Sequence, residues 1–280
     1  MKRIVSCFTN SYGESGVWTA VARIAETGID HLELALRGHN FGGLVIPESV
    51  VITEKADDRT AQSFCDHLHR QGVKVSGCNV GGADIRTQEG LELTERRIRF
   101  AAKWFNVKIC VSGAGQPTDD AERRAIVAHL RQLGDVAGEC GLNLALETHK
   151  GPTQNAQAML TLMSDVNHPH VGLNFDTGNI AYYNDGADPC DELDKVKELV
   201  RNVHVKDNRG GLEDWYFPAL GDGGSVDFAR VRTILDGVGF LGPYTIEIEG
   251  IGGEPEPGLD GRHERVRRSV AHLRKCGYFE

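Results

Sequence analysis

GLNLALETHKG, residues 141–151, carries the unit that organises the chain. Gly141 closes a helical stretch at 119–140, because glycine takes up the left-handed conformation just past a helix end at little cost. That helix opens with a D-x-x-E capping box, Asp119 and Glu122. The run LNLALET (142–148) then has the length and composition of a short strand. It finishes in Glu147 and His149, two residues apart and so on one face of the strand.

The same unit recurs on both sides. Strand-like runs lie at 3–9, 31–36, 73–80, 107–113, 171–177, 202–207 and 244–250. Helical patterns follow them, at 16–27, 57–71, 88–105, 154–165, 190–200, 226–238 and 259–275. Gly28 and Gly72 mark helix ends as Gly141 does, and Gly72 also precedes its strand by one residue. Strict alternation implies parallel strands joined by helical crossovers. Strand starts are about 34 residues apart on average, the size of one βα unit. Eight such units in 280 residues predict an α/β fold, a single (β/α)8 TIM barrel spanning 1–280 as one domain. A doubly wound open sheet would carry a glycine-rich fingerprint after its first strand, where this chain reads TNSYGES. Two stretches stand outside the pattern, 207–225 and GHNFGGLVIP at 38–47. Loops of that length on the C-terminal face serve as lids.

Composition narrows the function classes. Forty acidic against 31 basic residues give a net charge of −9, which argues against a nucleic-acid or anionic-membrane partner. The seven cysteines are scattered with no C-x-x-C, as expected of reduced thiols in a cytosolic protein. Met1-Lys2-Arg3 runs straight into a strand rather than an apolar leader segment, and no apolar run approaches the ~18 residues a membrane span needs. The expected location is therefore cytoplasmic.

In a parallel barrel the C-terminal strand ends surround the active site. Here the last four strands each end in two polar residues of one face: Glu147 and His149, Asn174 and Asp176, His204 and Lys206, Glu247 and Glu249. Buried carboxylates must be paired or bind a cation. The acids outnumber the cationic partners, Lys206 and a protonated histidine. Either a fully satisfied ion-pair network or a divalent cation answers this, and the excess of negative charge favours the cation. Carboxylates with one imidazole suit Mn²⁺ first here, with Mg²⁺, Co²⁺ or Zn²⁺ also compatible.

ALETHKG, LNFDTGN, NVHVKD, LGDGGSVDF and YTIEIEG, in that order, resemble the sugar-phosphate isomerase/epimerase family, the xylose-isomerase-like barrel superfamily. The specific motifs lie within 145–250. The resemblance implies one metal held by Glu147, Asp176, His204 and Glu247, with Glu249 the rival for the last place. It implies that Glu147 and Glu247 double as the catalytic acid/base pair, moving a proton beside a carbonyl through a metal-stabilised enediolate. The expected function is a metal-dependent isomerase or epimerase of a sugar or sugar acid. The alternative is a lyase, a dehydratase or hydratase of a keto-sugar or dehydroshikimate-like substrate at the same site. A related abasic-site endonuclease would need more histidines and a basic DNA face. Retention of all four ligand positions argues against a non-catalytic sugar-binding subunit.

Candidate substrate-binding residues are His149, Lys206, Asn179, Glu33, Asn79 and Trp215. Asn179 stands where the ketose epimerases carry a substrate-binding histidine, and Arg209 is only near the position of their arginine. Both departures count against a free ketohexose. The glycines of SGAGQ and LGDGG are candidate phosphate contacts. The sequence allows a homo-oligomer without specifying one.

Overall fold

Residues 3–41 and 44–280 are described by the computed structural model. Met1 and Lys2, and Gly42 and Gly43 of the 38–47 stretch, lie outside the described residues. Eight parallel strands close on themselves: β1 Ile4–Phe8, β2 His31–Ala35, β3 Lys74–Asn79, β4 Ile109–Ser112, β5 Asn143–Glu147, β6 Val171–Asp176, β7 Val200–Val205 and β8 Pro243–Ile246. Each pairs with its neighbours in sequence, and β8 closes the ring on β1 with Val5 opposite Tyr244. This is the (β/α)8 barrel that the alternation of elements predicts.

Helices α1 Gly16–Arg23, α2 Asp58–Gln71, α3 Gln88–Phe105, α4 Asp120–Glu139 and α5 Ala156–Val166 wrap the first five strands. After them come α6 Thr177–Tyr183, α7 Pro189–Val196, α8 Phe228–Asp236 and α9 Gly258–Lys275. Side-chain caps fix the starts of α2 to α8. Asp57 accepts from Thr60 N–H at 2.7 Å, Thr87 from Gly90 N–H at 3.0 Å and Asp119 from Glu122 N–H at 2.8 Å. Each such cap is worth about 0.5–2 kcal/mol. The Glu122 side chain reaches back to Thr118 N–H at 2.7 Å, one residue before the cap itself.

Three features differ from the sequence pattern. Helix α6 follows β6 directly, because Asp176 Oδ1 accepts from both Gly178 N–H and Asn179 N–H at 2.9 Å and starts a helix at the strand end. His39–Phe41 pairs antiparallel with Leu44–Ile46, so the 38–47 stretch is a strand pair on its described residues. Tyr216–Phe217 pairs with Gly250–Ile251, tying the loop after β7 to the loop after β8.

The loop after β7 is organised by Asp207. Its buried carboxylate accepts from Asn208 N–H at 3.0 Å, Gly221 N–H at 2.8 Å and Val226 N–H at 3.3 Å. A side chain on Gly224 would collide with that carboxylate. Gly221 and Gly224 of LGDGG therefore close on this chain's own Asp207. Among the described residues no helix is long and apolar enough to cross a membrane.

Replacing Asp207 by alanine strands three backbone donors. Asp207→Ala is expected to lower stability by about 1–3 kcal/mol. Urea unfolding measures it, and an unchanged midpoint would mean the loop is held by other contacts.

Candidate functional site

The register of the last four strands brings four potential ligands together. Asp176 and Thr245 are the neighbours of His204 across β6 and β8, and Glu147 lies level with Asn174 on β6. Glu247 follows the last residue of β8. One donor atom from each of Glu147, Asp176, His204 and Glu247 lies within 4.8 Å of all the others. His204 Nδ1 is 3.1 Å from Glu247 Oε2, 3.4 Å from Glu147 Oε1 and 4.0 Å from Asp176 Oδ2.

Two atoms of this group are buried without a hydrogen bond: Asp176 Oδ2 and His204 Nδ1. The other oxygen of Asp176 is engaged by the α6 cap. The other nitrogen of His204, Nε2, meets both oxygens of Glu33 at 3.0 and 3.2 Å. With Nε2 committed to Glu33, Nδ1 is the nitrogen that faces the carboxylates. Buried polar atoms are rarely left unpaired, and two aimed at one point ask for a third party. Three carboxylates and one imidazole, backed by a carboxylate on the far side of the ring, suit one divalent cation.

The charges agree with that geometry. Burial opposes the charge on His204, yet Glu33 and Glu247 hold its pKa well above the ordinary imidazole value. Burial likewise opposes Lys206, and Glu247, Glu249 and Asp176 hold it well above the usual lysine range. Burial drives Asp176 well above the usual carboxylate range, outweighing Lys206. Burial also works against Glu147, but the neighbouring His204 brings it below its ordinary value. Glu249 is pushed up to about 7, by burial first and against the pull of Lys206. The two histidine and lysine cations therefore answer only part of the negative charge.

Glu249, the rival for the fourth ligand position, turns instead to Lys206, with its Oε2 2.7 Å from Nζ. Lys206 Nζ also lies 3.4 Å from Glu247 and 3.6 Å from Asp176, and sits over the Phe217 ring at 4.3 Å from its centre. Above the cluster is a cavity of about 70 Å³. His149, Lys206, Asn179, Asn79 and Trp215 all line it. His149 Nε2 meets the Tyr183 hydroxyl at 3.0 Å. Asn179 donates its amide to Thr148 O at 2.9 Å, a backbone-holding role that narrows what it can offer a substrate. Glu33 is placed otherwise than expected. It is fully buried below the cluster, on His204 and Asn202, and is not on the cavity wall.

The cavity also holds residues that the sequence pattern did not single out: Asn10, Arg37, His39, Tyr182 and Tyr183. A signal for two of them exists. Arg37 and His39 continue the alternation begun at Glu33 and Ala35, just past the end of β2. The tyrosines belong to α6, whose start is hidden behind the strand-like pattern of LNFDT.

Residues 21–276 match the family described as Xylose isomerase-like TIM barrel. The inosose dehydratase of Geobacillus thermodenitrificans is 25% identical over 272 residues, covering 90% of this chain and 82% of its own. Other curated relatives include further inosose dehydratases and a 3-dehydroshikimate dehydratase of Bacillus anthracis. A solved D-tagatose 3-epimerase-like protein superposes with a TM-score of 0.75 at 16% identity, over 98% of this chain and 96% of that one. A xylose isomerase-like barrel from Mycobacterium smegmatis, in complex with magnesium, gives 0.73 at 18% identity, over 98% of this chain and 97% of the other.

The Glu33–His204 contact yields a direct prediction. The protein is expected to bind one divalent ion per chain in isothermal titration calorimetry. Glu33→Gln is expected to weaken that binding about 10–100-fold with the fold retained, as loss of a partner behind a ligand does. Unchanged affinity would show that Glu33 does not orient the imidazole.

Proposed function

The chain belongs to the xylose isomerase-like TIM-barrel family, and on that premise we propose that it is a divalent-metal-dependent dehydratase of a small polyhydroxy ketone. Glu147, Asp176, His204 and Glu247 would hold the ion, with Mn²⁺ the first candidate among those their donor set suits. Such an ion supplies Lewis-acid polarisation of a substrate carbonyl.

The observation that carries the reading is the unequal state of the two glutamates that flank the cluster. Glu147 has 17% of its side chain open, whereas Glu247 has 3% and sits between His204 and Lys206. Glu147 is thus the group able to take a proton from the carbon beside the carbonyl. Epimerisation needs a second carboxylate free to return that proton from the other face. Across the site stands the Lys206–Glu249 pair, joined at 2.7 Å. That pair is built to protonate a departing hydroxyl. The step balances: a C–H bond breaks to Glu147, a C=C bond forms, the β C–O bond breaks, and the pair's proton leaves with the hydroxyl as water.

The curated relatives named as dehydratases support the same choice, the second of the two chemistries that the sequence allows. The isomerase or epimerase alternative draws on the fold of the structural neighbours and on the presence of both glutamates at the cavity.

Incubating the Mn²⁺-loaded protein with polyhydroxy ketones in D₂O separates the two. A product lighter by one water, seen by mass spectrometry, is the expected result. A diastereomer carrying deuterium with no water lost would overturn the reading. Glu249→Gln is expected to cut water loss about 10²-fold while α-proton exchange persists, as removal of one positioned acid does.

A further inference from the structure

Arg37 is a half-buried arginine on the cavity wall. Its hydrogen bonds go to Gly38 O at 3.3 Å and His39 Nδ1 at 3.4 Å, and its Nε is buried without a partner. Among the described residues no carboxylate oxygen comes within 4.0 Å of its guanidinium. Three sheltered arginines elsewhere hold an acid, whereas half-buried Arg201 bonds only backbone carbonyls. Arg3 holds Asp236 at 2.7 Å, Arg97 holds Glu54 at 3.0 Å and Arg262 holds Glu256. Burying a guanidinium without an acid is costly unless something else completes it.

The side chain is also held in place. Gly82, at φ +84, lies against it, and a Cβ there would meet Arg37 Nε at 2.7 Å. The absence of a side chain at 82 lets the guanidinium rest on the backbone. Charge around the cavity is divided. Glu147, Glu247 and Glu249 come from the ends of β5 and β8, while the wall after β2 and β3 offers Arg37, His39 and Asn79 and no acid. Lys206, the other cation of the cavity wall, is held by Glu249 at 2.7 Å, and Arg97, behind that wall, by Glu54 and by Gly81 O at 2.7 Å.

We propose that Arg37 receives a carboxylate of the substrate, which makes the substrate a polyhydroxy keto acid rather than a neutral polyol ketone. This rests on the dehydratase reading of the same site and names its substrate class. A lone guanidinium presents two parallel N–H donors that match the two oxygens of a planar carboxylate. With the reacting carbons over the carboxylate cluster, the acid group lies across the cavity, remote from the bond that breaks. Arg37 then fixes which face of the substrate meets Glu147.

The test needs no turnover. Shikimate and its methyl ester have the same ring and hydroxyls and differ by one negative charge. Their binding to the Mn²⁺-loaded protein is measured by isothermal titration calorimetry, with Arg37→Met and Arg37→Lys alongside. Shikimate is expected to bind at least ten-fold more tightly than the ester. Arg37→Met should abolish that preference without changing the affinity for Mn²⁺ or the melting temperature, and Arg37→Lys should restore part of it. Equal binding of acid and ester, loss of both in Arg37→Met, or no measurable binding of shikimate overturns the assignment. Water loss from neutral ketones, undiminished by Arg37→Met, would also overturn it and leave the dehydratase reading standing.

Discussion

A 3.0 Å hydrogen bond between His204 and Glu33 governs the rest of this site. It joins β2 to β7 across the inside of the barrel, between residues 171 positions apart in sequence. Closing the ring of strands is what brings them face to face. Once Nε2 is committed to Glu33, Nδ1 must face the carboxylates of β5, β6 and β8. Asn202 reinforces the arrangement by donating to both Glu33, at 3.1 Å, and Asn174, at 2.9 Å. The interior is thus polar where a barrel core is normally branched aliphatic. Asp176 Oδ2 and His204 Nδ1 lack a partner and face the same cluster, and Asn174 Nδ2, Asn202 Oδ1 and Thr245 Oγ1 are further buried atoms without one.

What can be read from the amino-acid sequence follows from how local each signal is. Strand-end residues two apart share a face whatever the rest of the chain does, so the pattern alone points to the polar pairs that end the last four strands, and the family resemblance picks Glu147, Asp176, His204 and Glu247 from them. The choice between Glu247 and Glu249 is harder, because both share that face. It is the position of the Lys206 ammonium, set by tertiary packing, that draws Glu249 away. Glu33 is visible as an inward acid but its partner is not, since nothing local records a contact between β2 and β7. Asp176 has two jobs, ligand candidate and helix cap, and reading only the first conceals α6. The glycines of LGDGG announce a close approach without saying to what, and the answer is a carboxylate of the same chain.

The cluster also explains why a sequence of this kind leaves two chemistries in play. Withdrawing a proton next to a carbonyl asks for the same four groups whether the next event is reprotonation or loss of a hydroxyl. The difference lies in what faces the substrate from the other side. The same cavity holds a lysine–glutamate pair beside an aromatic wall of Phe217, Trp215 and Tyr182, whose rings meet edge-on or tilted at 5.1–5.9 Å. An apolar wall of that kind keeps water away and strengthens each charge it shields.

The ribbon between 216–217 and 250–251 has a consequence for traffic. It fuses the two loops that rise beside Lys206 and Glu249 into one flap-like rim. Parting them means breaking backbone pairing, so that half of the mouth acts as a fixed jamb. The loop after β2, where Arg37 stands, carries a strand pair of its own, 39–41 with 44–46. Arg37 and the carboxylates thus line one cavity from loops that are each braced by strand pairing.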